Sequence, residues 1–152
     1  IVDGKVKLRG NIAAIANPMI EAGIIHARAL LEFLGLCLKG GKLSQVRNRR
    51  PDDSGIEQFS TPAILLNIVT PGDALSAYPG SKEEAEKGLV AIFEWANKWL
   101  AHLTTGVLSD NYTDQHLDIA CRGIPVLLHN HLYAKIGKEI PKPQSVAPSQ
   151  ER

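Results

Sequence analysis

Apolar residues recur every third or fourth position from Ile12 to Leu38, through Ile15, Ala16, Met19, Ile20, Gly23, Ala27, Leu30, Leu31 and Leu34. That is the period of an amphipathic helix. The cleanest part is Asn17 to Leu38. Asn11 is positioned to cap the first turn, and Pro18 either kinks the helix or sits in its first turn behind an Asn17 cap. Gly40-Gly41 supplies the expected stop.

Residues 42–61 are polar and without a period, with Arg47, Arg49 and Arg50 preceding Asp52 and Asp53. They read as a solvated loop with a local salt-bridged turn. Thr61-Pro62 signals a short helix to about Val69, ended by Pro71-Gly72, with a second short turn over 73–77. Ser81 and Glu84 form a capping-box pattern ahead of a long helix to about Thr105. Its core stripe is Ala85, Leu89, Ile92, Phe93, Ala96, Trp99, Leu100 and Leu103. A last helix starts behind Thr113 or Asp114 and runs to about Lys138, with Leu117, Ala120, Cys121, Ile124, Leu127, Leu128, His131 and Leu132 on its stripe. Pro125 should kink it.

The resulting expectation is an all-α fold, an irregular helical bundle of three long helices and one or two short ones. Residues 1–10 form a leader arm, 11–138 a single domain, and 139–152 a disordered Pro-rich tail. Composition adjusts this only slightly. The net charge of +1 excludes a broad electrostatic platform for nucleic acid, though not a local basic patch. No apolar run reaches the roughly 20 residues of a membrane span. The early apolar residues are broken by Asp3, Lys5, Lys7 and Arg9, so no secretory signal is expected, and the start at Ile1 leaves room for residues upstream. Cys37 and Cys121 fall on predicted apolar helix faces and read as buried thiols of a reducing, cytoplasmic compartment.

Polar side chains then suggest chemistry. A helical wheel puts His26 at the core side with Met19 and Phe33, where a buried ring needs a partner, and His102 is the leading one. Glu21, Arg28 and Glu32 fall on the wetter face, where Arg28 and Glu32 can pair. Trp95, Trp99 and His102 can share one helix edge, either as a base-stacking platform or as the rim of the core. Asp118, Arg122 and His129 fall on one flank of the last helix, where an arginine could hold a phosphate and a histidine move a proton. The alternative there is a solvated flank with an Asp–Arg pair. No metal-binding motif or phosphate loop occurs, so neither a cofactor nor a metal is expected.

Glu21-x4-His26-Ala27-Arg28-x-Leu30-x2-Phe33-Leu34, followed by Asn97-Lys98-x2-Ala101-His102-Leu103-Thr104, resembles a group of uncharacterised bacterial helical proteins that look distantly related to the HEPN superfamily. The two segments cover about a quarter of the chain. HEPN ribonucleases carry an Arg-x4–6-His motif on a late helix, and Arg122 to His129 fits its upper limit. The family usually has a polar residue after the arginine, whereas Gly123 stands here and Pro125 lies in the same turn. Many members are inactive binding modules, often dimeric through their helices.

Three functions follow as expectations. The first is a non-catalytic, homodimeric interaction module that contacts protein or RNA. The second is a metal-independent ribonuclease, with Arg122 positioning a phosphate and His129 as acid–base. The third is a small-ligand or metal-binding bundle that uses the inward histidines.

Overall fold

The computed structural model describes residues 13–101 and 112–141, with the backbone alone at 98–101. The leader arm, the Asn11 cap, the Trp99 side chain, His102 and residues 142–152 of the tail lie outside the described residues.

Helix α1 spans Ala13–Leu34 and carries Pro18 within it. It ends four residues before the sequence reading placed its stop. Gly35 takes φ of +97°, a conformation that breaks the helix and favours glycine. The chain then forms strand β1, Leu36–Lys39, and strand β2, Lys42–Gln45, paired antiparallel. The all-α expectation is therefore corrected to a mainly helical fold with a two-stranded sheet. Gly40-Gly41 does not stop a helix. Its φ values of +58° and +73° make the two-residue hairpin turn, type I′, whose twist matches paired strands. Leu34, Leu36 and Leu38 also satisfy an alternating pattern.

The segment after β2 returns along the end of α1. Val46 N donates to Gly35 O at 2.8 Å, and Val69 N donates to Leu34 O at 2.8 Å. The expected helix over 62–69 does not form. A 3₁₀ turn covers Ile56–Phe59, Thr61 bridges Ile64, and the chain from 65 to 70 is without regular structure. The Ser60 hydroxyl occupies both backbone groups of Leu66, accepting from N at 2.9 Å and donating to O at 3.2 Å. That exchange replaces helical bonds. Pro71-Gly72, expected as a terminator, instead opens helix α2, Pro71–Ser76, behind a Thr70–Asp73 capping box.

Helices α3, Lys82–Ala101, and α4, Asp114–Leu128, pack extensively on each other. α3 contributes Leu89, Ile92, Phe93 and Ala96 to the core, and α4 contributes Ala120, Ile124 and Leu127. Against them lie Ile24, Leu31 and Leu34 of α1 and Leu36, Leu43, Ile56, Leu66 and Val69 from the hairpin and the following segment. Pro125 sits inside α4, and four residues later the helix widens into a π turn over His129–Tyr133, where Ala134 N reaches His129 O at 2.8 Å. The two cysteine expectations are corrected. Cys121 lies on the outer side of α4 and is exposed, and Cys37 is half-buried on a strand.

Candidate functional site

The described site residues expected from sequence, Trp95 apart, fall in two places, and a third place holds none of them. The first is the outer side of α1. His26 is exposed, so its expected inward position is corrected. The core takes Ile24, Leu31 and Leu34, and His26 projects more than a right angle away from Ile24 and Leu31 on the helix. Glu21 is exposed. Arg28 does pair with Glu32, Nε to Oε1 at 2.9 Å, and its Nη1 donates to Asn97 Oδ1 of α3 at 2.6 Å. This arginine ties α1 to α3. The outer stripe itself is apolar: Ile15 is 44% exposed, Met19 69% and Leu30 38%. Phe33 continues it and stacks edge-on with Phe59, centroids 5.7 Å apart.

The second place is α4. Asp118, Arg122 and His129 all lie exposed on its outer face. Asp118 and Arg122 form the Asp–Arg pair, with oxygens 2.8–2.9 Å from Nε. The carboxylate raises the guanidinium further above its already high value. Partial burial pushes the Cys121 thiol up, and Asp118 adds to this. His131, in the π turn that follows α4, is pulled below its ordinary value by burial, an effect that Asp73 of α2 opposes and Lys135 reinforces.

Trp95 belongs to neither place. It is 5% exposed and lies in the core, as the second of the two readings of that edge had it, while the Trp99 side chain and His102 lie outside the described residues. Tyr112 meets it edge-on at 5.9 Å, and His116 meets Tyr112 at 5.9 Å. His116, which no sequence signal singles out, is the one buried histidine among the described residues. Its Nδ1 accepts from Thr113 N at 3.0 Å, taking the place a glutamate usually fills in a capping box. Among the described residues no three His, Cys, Asp or Glu side chains converge as metal ligands.

The third place was hidden in the polar run 42–61. Arg49 is not solvated. Its Nη1 and Nη2 donate to the carbonyls of Glu32 at 2.8 Å and Phe33 at 3.1 Å, and its Nε to Glu57 Oε1 at 2.7 Å. A cation thus closes the negative end of α1. Around it run two grooves that share Cys37. One, about 430 Å3, lies between α1 and the 46–54 segment, and the other, about 500 Å3, lies beside the hairpin.

Comparison of the chain with family models, with curated proteins and with solved structures gives no match. Among the described residues no helix is long and apolar enough to cross a membrane.

Proposed function

We propose that this protein is a non-catalytic interaction module that works as a homodimer through the outer stripe of α1. The observation that carries this is the second apolar face of that helix. One face, Ile24, Leu31 and Leu34, is spent on the core. The other, Ile15, Met19, Ala22, His26, Leu30 and Phe33, repeats at helical spacing and bears no carboxylate, lysine or arginine. It is also self-complementary. When two copies lie antiparallel and centred near residue 24, Ile15 meets Phe33, Met19 meets Leu30 and Ala22 meets His26, each pair occurring twice. From Ile15 to Phe33 the stripe is about 27 Å long at 1.5 Å per residue. Such a helix pair buries on the order of 500 Å2 per copy, at the lower edge of stable interfaces, so the dimer should dissociate in the micromolar range.

Sedimentation velocity across that range tests the reading. The wild type should shift from monomer to dimer, and Met19→Glu should stay monomeric. Leu65→Glu, exposed elsewhere, should dimerise normally. A wild type that stays monomeric at high micromolar concentration, or a Met19→Glu protein that dimerises unchanged, rejects it.

A second reading rests on the shared outer face of Arg122 and His129, which leaves both side chains open to an RNA phosphate. Asp118 competes for the same guanidinium. Incubation with RNA in EDTA separates the two: cleavage lost in Arg122→Ala and His129→Ala would establish the ribonuclease, the HEPN-like activity that the sequence resemblance implies.

A further inference from the structure

The hairpin presents an uncompensated basic surface. The type I′ turn sets Lys39 directly opposite Lys42. Like charges so placed repel, and the fold gains nothing from them. Arg47 follows at the end of β2. Among the described residues none of the three cations is within ion-pair distance of a carboxylate. Lys39 and Arg47 line the 500 Å3 groove with Ser44, Gln45 and Cys37, and no described carboxylate lines it. The groove therefore offers two charges and two neutral hydrogen-bonding side chains to an anion.

Cys37 also lines the second groove, which adds Arg50, Ser54 and Phe33. Of the two carboxylates there, Glu32 is paired with Arg28 at 2.9 Å, while Asp53 accepts only the neutral Arg50 N–H at 3.1 Å and keeps its charge. Phe59, 57% exposed, stands beside Phe33. Cations along a track with an exposed aromatic at its side are the two elements of a single-strand site, where the backbone is held by charge and unpaired bases stack.

We infer that these two grooves, which share Cys37, bind the phosphodiester backbone of a single-stranded nucleic acid, with Lys39, Arg47 and Arg50 on phosphates and Phe59 under a base. A duplex would keep its bases away from Phe59. Carboxylates Glu83 and Glu86 approach the Lys42 side of the tip, so the strand runs on the Lys39–Arg47 side. Lys39, Arg47 and Arg50 lie off the α1 stripe, and Phe33 alone belongs both to that stripe and to the second groove.

Fluorescence anisotropy with a labelled oligouridine of about a dozen nucleotides tests it. Three phosphate contacts give a slope of about −2 in log affinity against log salt. Lys39→Ala with Arg47→Ala should weaken binding at least about tenfold and flatten the slope to about −0.7. Phe59→Ala should weaken it about fivefold or more with the slope unchanged. Lys39→Arg should bind as wild type, and Lys82→Ala with Lys138→Ala, exposed elsewhere, should have no effect. Circular dichroism of each variant confirms that the fold is retained. Absence of binding at low salt, equal binding by the double variant, or full displacement of RNA by inorganic phosphate at matched phosphate concentration would each overturn the inference.

Discussion

Gly35 and Ile68 touch so closely that a Cβ on Gly35 would lie 2.6 Å from the Cβ of Ile68. Gly35 also holds φ of +97°. Close contact and backbone conformation both demand glycine where α1 turns into β1. Gly35→Ala should therefore cost about 3 kcal/mol, from overpacking and from the strained backbone together. Urea denaturation of the variant would show this as a lower midpoint with an unchanged slope.

Arg49 fixes the same corner from the other side. Arg49→Ala removes two donors from the α1 terminus and leaves Glu57 without its cation. Its Oε2 is already without a partner. A loss of about 2 kcal/mol is expected, and Arg49→Lys should recover only part of it, because one ammonium cannot span both carbonyls and the carboxylate. Denaturant titration of the two variants checks the order.

At α2, hydrogen bonds from the Thr70 hydroxyl and backbone N–H hold the Asp73 carboxyl below its usual range. The unfolded chain therefore binds this proton more readily. The stabilisation is complete above about pH 3.9 and is lost as pH falls through the folded value. Thr70→Ala should cost about 1 kcal/mol at neutral pH. The gap to wild type should close in acid, as read from denaturation midpoints in a pH series.

His131 shifts stability in the same direction at a higher pH. Burial disfavours its charged form in the folded chain. Its contribution is present above about pH 6.5 and is lost as pH falls through the lower folded value. In His131→Gln the fall in melting temperature between neutral and mildly acid pH should be smaller than in wild type, and an equal or larger fall would contradict this assignment.

The long helices were legible because each buries a stripe whose period survives to the end of the element. Ala85, Leu89, Ile92, Phe93 and Ala96 lie buried as their spacing required. The hairpin was not, because Leu34 closes a helical period and opens an alternating one, and only the contact of Gly35 with Ile68 decides between them. The two faces of α1 misled in another way. A wheel shows that His26 shares a side with Met19 and Phe33, but cannot show that Met19 and His26 are turned to solvent while Phe33 packs at the edge of the core. Arg49 was invisible for a simpler reason: its neighbours Arg47 and Arg50 carry the same charge, and its two carbonyl acceptors lie 16 and 17 residues away in the chain. Asp118 and Arg122 were readable as a pair because four residues is one helical turn.

The tip of the hairpin is indifferent to size and sensitive to handedness. A Cβ on Gly40 or Gly41 would meet nothing within 4 Å, yet both residues sit at positive φ. L-alanine fits the space at either position but not the dihedral angle, which D-alanine favours. Chemical synthesis with D-residues would thus stiffen the turn between Lys39 and Lys42 and fix the separation of the two charges.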